Sequence, residues 1–260
     1  MLNAPETALR RARTLLRQGA DQAAQHAYLQ VLQSDPTHCA ALTELGALAH
    51  ASGFVSAARD AYRQAVHWHP ASKVAQVGYA WLLNEAGDHA TARHHYQQAL
   101  ALDPDLPEAH QGLARVLTEL GENADTHWRK GFTGHAILRR RYRGPAPGIP
   151  LLLLVAAAGG NIPTQHWIDD RIYAVTALYT EFHDPAAPLP PHAMIVNAIG
   201  DADLCAQALA NAQRILADTT TPLLNPPAAI AATGRAHNAH RLGQLPGVIA
   251  PRVLPLSRAP

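Results

Sequence analysis

Histidine is the residue type with the widest chemical capacity in this chain, with 16 imidazoles among 260 residues. Three arrangements bring two of them together: His67-x-His69, the adjacent His94 and His95, and His237-x-x-His240. The last spacing sets two rings about one turn apart on a helix. Such a pair can hold a transition metal, but a site needs a third ligand and partners that orient the rings. There is no HExxH, and no acidic residue follows at the required spacing. The two cysteines, Cys39 and Cys205, make neither a four-ligand zinc site nor a disulfide framework. Cys205 lies in an apolar-leaning stretch with no histidine marked beside it, so it reads as a small buried hydrophobe and not a nucleophile. Neither GxxxxGK[ST] nor GxGxxG occurs. No catalytic residue, no metal and no cofactor is therefore assigned to this chain.

What could bind a small molecule follows the apolar runs of the second half. Gly159, Gly160 and Asn161 come directly after Ile149–Ala158. Asn197, Gly200 and Asp201 lie at the end of Ala193–Ile199, and Asn225 follows Thr221–Leu224. Glycines let a backbone approach an anion, and open α/β sheets bind ligands at the carboxyl ends of their strands. These seven residues form the candidate substrate-binding set. Two structural readings stay open beside it: a strand-ending turn at Gly159–Asn161, and a helix N-cap at Asp201.

The elements that carry these residues differ between the halves. Five of the 20 prolines precede residue 131. The first half then reads as helices with regularly placed breakers, the second as short apolar strands between Pro/Gly turns. The breakers repeat every 34 residues: Pro36, Pro70 and Pro104, and Gly19, Gly53, Gly87 and Gly121. Ala24, Ala58 and Ala92 keep the same period, as do Tyr28, Tyr62 and Tyr96. A small residue at a helix crossing lets the axes approach, a glycine accepts the left-handed turn between helices, and a proline stops the second helix.

Period and pattern resemble the tetratricopeptide repeat, a helix–turn–helix unit. The second unit carries the resemblance most fully, through Leu42, Leu45, Gly46, Ala58, Tyr62, Ala65 and Pro70. The units run over about 5–38, 39–72 and 73–106, followed by a degenerate one at 107–130, where Thr126 and Lys130 replace the expected alanine and aromatic. Residues 1–130 form the repeat domain. The resemblance implies a concave surface lined by the first helix of each unit and holding a protein or peptide. Its candidate residues are Arg13, Arg17, His50, Trp81, Asn84, Gln111 and Arg115. With two lysines in the whole chain, Lys73 and Lys130, and with Leu9 and Thr43 at key positions, a carboxylate clamp of the familiar kind is not expected. Trp128 and Phe132 follow the last unit and need cover, which the following lobe is expected to supply.

Residues 131–260 alternate strand and helix, which implies a Rossmann-like parallel sheet with flanking helices. The predicted strands are Ala136–Tyr142, Ile149–Ala158, Tyr173–Phe182, Ala193–Ile199 and Thr221–Leu224. Helices are predicted over Ala202–Asp218 and from Pro227 to about Leu242, with an extended exit over Val248–Leu256. The run Ile195–Asp201, the turn at Asn225-Pro226-Pro227 and the segment Gly247–Pro251 together resemble the preATP-grasp lobe of carboxylate–amine ligases. Repeats fused ahead of such a lobe are similar to a group of bacterial proteins with ATP-grasp-like C-terminal regions. The Asp-Lys pair of that family is absent where Arg235, His237 and Asn238 stand. The subdomains that bind ATP and Mg²⁺ would lie beyond Pro260, so ATP and magnesium enter only with such a region.

The reading is a repeat-mediated protein or peptide interaction module coupled to a non-catalytic ligase-type lobe. The alternative is the front portion of an ATP-dependent carboxylate–amine ligase. The net charge of +1 argues against nucleic acid, and the run Leu151–Ala158 is too short for a membrane span. A cytoplasmic location is expected. No feature sets an oligomeric state.

Overall fold

The computed structural model describes every residue except 1–3, 146, 250–252 and 254–260. The chain divides into two units, Met1–Thr133 and Gly134–Pro260.

The first unit is four helix pairs. They are α1 (Ala4–Arg17) with α2 (Asp21–Ser34), α3 (Cys39–Ala51) with α4 (Val55–Trp68), α5 (Lys73–Glu85) with α6 (His89–Leu102), and α7 (Pro107–Glu119) with α8 (Asp125–Phe132). Each turn within a pair contains a glycine in the left-handed region: Gly19, Gly53, Gly87 and Gly121, with φ of 75°, 83°, 80° and 73°. Ala24, Ala58 and Ala92, on the second helices of the first three pairs, are all fully buried. Two ion pairs and a histidine–carboxylate hydrogen bond join one repeat to the next. Arg13 on α1 meets Glu44 on α3, His50 on α3 meets Glu85 on α5, and Arg93 on α6 meets Glu122 beyond α7. α8 has 8 residues where α2, α4 and α6 have 14. Trp128 packs on the cluster containing Leu113, Ala114 and Leu117 of its own unit, and its indole N–H donates to Thr118 Oγ1 at 3.3 Å.

The second unit is built on a five-stranded sheet in the order β1-β3-β2-β4-β5. The strands are β1 (Ile137–Arg139), β2 (Ile149–Val155), β3 (Tyr173–Tyr179), β4 (Met194–Asn197) and β5 (Leu223–Leu224). β2 runs parallel to both β3 and β4, and β4 to β5, but β1 runs antiparallel to β3. The sheet is therefore mixed, not the parallel sheet that strand–helix alternation implied. β1 is a three-residue edge strand, so a single neighbour sets its direction. Helical structure beside β3 is slight, as the one or two turns expected over Pro163–Asp170 imply. Among the described residues, a 3₁₀ turn at Thr164–His166 is the only helical element between β2 and β3, and none lies between β3 and β4.

β2 holds the core. Leu152 and Leu154 face α9 (Ala206–Ile215) through Ala208 and Leu209, while Leu151, Leu153 and Val155 face Ile168 and Val175. A strand buried on both faces must be apolar throughout, which accounts for the uninterrupted run. α9 starts later than the predicted Ala202, because Asp201 closes a turn first. Its Oδ1 accepts from the backbone N–H groups of Asp203 and Leu204 at 2.9 and 2.8 Å. The single helix predicted from Pro227 is two, α10 (Pro227–Ala231) and α11 (Arg235–Gly243), separated at Thr233 and Gly234. Thr233 Oγ1 bonds the Ile230 carbonyl and ends α10. Most of the predicted exit Val248–Leu256 lies outside the described residues.

Candidate functional site

The groove-forming face of the first unit starts with missing side chains. A Cβ at Gly78 would lie 2.1 Å from Tyr62 Cε1, and one at Gly112 would lie 2.1 Å from Tyr96 Cζ. The rings from α4 and α6 therefore press directly on the backbones of α5 and α7. In the first interface Glu44 stands 34 residues before Gly78. There the Tyr28 hydroxyl donates to Glu44 Oε2 at 2.9 Å instead. Burial pushes the Tyr62 phenol up to about 12, and pushes that of Tyr96 higher still.

Over this floor, between α5 and α7, lies a cavity of about 260 Å³ lined by Val77, Trp81, Asn84, Tyr96, Glu108, Gln111, Gly112 and Arg115. Four of the seven residues predicted for partner binding meet here. Asn84 Oδ1 accepts from His89 Nδ1 at 2.9 Å, and Gln111 Nε2 donates to the Gly131 carbonyl at 2.7 Å. Each amide is fixed by one end, leaving the Asn84 NH₂ and the Gln111 carbonyl for a ligand. A second cavity of about 310 Å³ continues along the same helices, lined by Tyr62, Lys73, Val74, Val77, Gly78, Leu106 and Glu108. Val77 and Glu108 belong to both.

The remaining three predicted residues lie elsewhere. His50 packs edge-on against Trp81 with centroids 4.1 Å apart, and its Nε2 meets Glu85 Oε2 at 2.8 Å. Arg13 and Arg17 line a separate depression of about 490 Å³ with Arg10, Thr14 and Leu16. The Arg13 guanidinium bonds both oxygens of Glu44, which raises its pKa above the usual arginine value.

In the second unit the predicted substrate residues gather at the carboxyl ends of β2 and β4. The backbone N–H groups of Gly200 and Asp201 donate to the Gly160 carbonyl at 2.8 and 3.1 Å. The polar side chains there are bonded to main chain. The Asn161 amide takes both the N–H and the carbonyl of Ala156, Asn197 does the same for Ile199, and Asn225 Nδ2 donates to the Asn197 carbonyl. Cys205 donates its thiol to the Gly159 carbonyl at 3.2 Å, and burial, with Asp201 and Glu181 adding, pushes it up to about 11. It is a thiol at neutral pH and a poor nucleophile.

Other polar groups escaped the sequence reading. Glu181 accepts from the Ala157 N–H at 2.9 Å through Oε1, while its buried Oε2 has no hydrogen-bond partner among the described residues. Burial raises this carboxyl above the usual range. Gln76 and His110, buried on α5 and α7, each bond a proline carbonyl six residues back, at Pro70 and Pro104. His110 Nδ1 also meets His127 Nδ1 at 2.8 Å. Among the described residues no three His, Cys, Asp or Glu side chains converge as a metal site, and no helix is long and apolar enough to cross a membrane.

Residues 83–125, from the end of α5 to the start of α8, match the tetratricopeptide repeat family. Within the first unit, the stretch that carries the match spans the second helix of the third pair and the first helix of the fourth. No curated protein sequence matches the chain. A crystal structure of MamA aligns with 50% of this chain and 77% of its own, at 21% identity and a TM-score of 0.46. For MamA from Desulfovibrio magneticus RS-1 the shares are 49% and 73%, with 22% identity and a TM-score of 0.44. A tetratricopeptide repeat protein from Parabacteroides merdae aligns over 50% of this chain and 53% of its own, at 20% identity and a TM-score of 0.45.

The histidine pair ties the α7–α8 pair to pH. His110 Nε2–H donates to the Pro104 carbonyl, so its Nδ1 is the acceptor and His127 Nδ1–H the donor. Burial first, then His110 and Lys130, lower the His127 pKa. A lowered histidine pKa means that the unfolded chain binds its proton first as pH falls. The contribution to stability is then present above about 6.5, the unfolded value, and is lost as pH falls from there toward the folded value. The melting temperature of the full chain should rise from pH 5.5 to 7.5, and His127→Gln, which keeps a donor, should flatten that rise. An unchanged slope in the variant would remove His127 as its source.

Proposed function

We propose that the chain is a protein-interaction module whose repeats hold an extended peptide along α5 and α7. One observation carries this reading: Trp81, Asn84, Gln111 and Arg115, from two successive first helices, line one cavity. Selecting a phage-displayed random peptide library on the full chain tests it. Recovered peptides should lose at least tenfold in affinity on Trp81→Ala. They should be unaffected by Arg59→Ala, a change at an exposed position of α4. Peptides that ignore Trp81, or that depend equally on Arg59, would overturn the reading.

The second unit is proposed as a ligase-type lobe, preATP-grasp-like and not catalytic in this chain, with no cofactor of its own. The ordered set Ile195–Asp201, Asn225–Pro227 and Gly247–Pro251 supports this resemblance. So does the gathering of Gly160, Asn161, Gly200 and Asp201 beside two adjacent parallel strands, where a crevice for a ligand forms in open sheets.

A further inference from the structure

The two cavities over α5 and α7 differ in chemistry, and the difference specifies a ligand. The cavity of about 310 Å³, near the N-terminal ends of both helices, is mostly apolar: Tyr62, Val74, Val77, Gly78 and Leu106 line it. Val74 is 60% exposed, so a large apolar side chain stands uncovered at its rim. The cation there, Lys73, is already engaged, its Nζ 2.5 Å from Asp103 Oδ2. The cavity of about 260 Å³ holds Arg115, which is exposed and has no ion-pair partner among the described residues. Around it are the Asn84 NH₂ group and the Trp81 indole, both donors. Glu108, exposed and also without an ion pair among the described residues, lines both cavities where they join.

We infer that this groove selects a peptide segment with an apolar side chain and an acidic side chain about four residues apart. The inference rests on the peptide-binding reading above and adds the ligand's charge and order. The apolar residue sits on Val74, Val77 and Leu106; the carboxylate sits on Arg115. Leu106 and Arg115 are nine positions apart along α7 and its N-cap, which is about 13 Å at 1.5 Å per residue. An extended peptide covers that in about four residues. A single guanidinium can take a carboxylate with two parallel hydrogen bonds, so one arginine suffices. Glu108 fixes the order. Seven residues separate it from Arg115, about 10 Å of helix, close to one Debye length at 0.1 M salt. A ligand carboxylate is therefore attracted at the Arg115 end and repelled at the junction. The carboxylate assigned is that of an internal Asp or Glu side chain, and a library with free C-termini separates it from a chain terminus.

The same random library, displayed with both peptide ends blocked by flanking sequence, is selected in parallel on the native chain, on Arg115→Glu and on Glu108→Gln. The native chain should enrich Asp or Glu three to five residues from Leu, Ile, Val, Met or Phe. Arg115→Glu should shift the enrichment from acidic to basic residues at that spacing. Glu108→Gln should raise the affinity of the native-selected peptides several-fold. Thermal melts check that both surface variants fold. If the recovered peptides depend on Trp81 but show no acidic enrichment and no shift on charge reversal, this inference is overturned while the peptide-binding reading stands. If nothing recovered depends on Trp81, both fall. Enrichment only of free C-terminal carboxylates, in a second library displayed with open ends, would also overturn it.

Discussion

Gly46→Leu is expected to destabilise the first unit by about 2–4 kcal/mol, because overpacking a helix crossing forces the axes apart. A Cβ at this position would already lie 2.9 Å from both Cδ2 and Cε2 of Tyr62, and 3.4 Å from the Ala58 carbonyl oxygen. The ring cannot retreat. On its other edge the backbone of Gly78 stands where a Cβ would be 2.1 Å from Cε1. Tyr62 is therefore wedged between α3 and α5, and leucine's further carbons must separate both. The loss should spread to neighbouring pairs, since each repeat is stable only against the next. Gly53→Ala is the control. Its Cβ meets nothing within 4 Å, so only its φ of +83° resists, at about 1–2 kcal/mol. Urea unfolding of both variants separates packing from backbone strain. A native-like midpoint for Gly46→Leu would mean that α3 and α4 do not cross at this residue.

The repeat was legible because its signals are local. A glycine in the left-handed turn, a proline after a helix and an alanine at a crossing each act at their own position, so their recurrence locates the helices without reference to distant contacts. The face was half legible for the same reason. Trp81 and Asn84 lie three apart on α5, and Gln111 and Arg115 four apart on α7, so helical periodicity puts each pair on one side. Which pairs share a cavity depends on the packing of one repeat on the next, and His50, Arg13 and Arg17 accordingly fall elsewhere. Gln76 and His110 went unread because a polar residue at a core position looks like a break in the pattern. A signal was present: both follow a repeat-period proline by six residues, and both bond its carbonyl. In the second unit the strands were visible as apolar runs, but the direction of β1 was not, because pairing direction belongs to the partner strand. Glu181 is hidden in the same way, its burial set by Ala157 and the surrounding loops.

Asn197→Ala is expected to cost the second unit about 2–4 kcal/mol, through one or two buried polar groups left without partners. Asn197 is 1% exposed at the end of β4. Its Oδ1 accepts from the Ile199 N–H at 3.1 Å and its Nδ2 donates to the Ile199 carbonyl at 3.3 Å. Ile199 is fully buried, so water cannot readily replace either bond. Asn161→Ala is the informative comparison, because that amide bonds the N–H and carbonyl of the buried Ala156 with the same two-way pattern but sits on an exposed residue. Removing an exposed side chain opens a path for water to the Ala156 backbone, and the cost should be smaller, about 1–2 kcal/mol. The two variants thus set one hydrogen-bond geometry against two degrees of side-chain burial. Urea midpoints give the stabilities, and amide hydrogen exchange at Ile199 and Ala156 locates the loss. If Asn197→Ala unfolds at the native midpoint, its amide is not needed to hold the turn after β4. The side chain would then be free to serve a ligand at the carboxyl edge of the sheet.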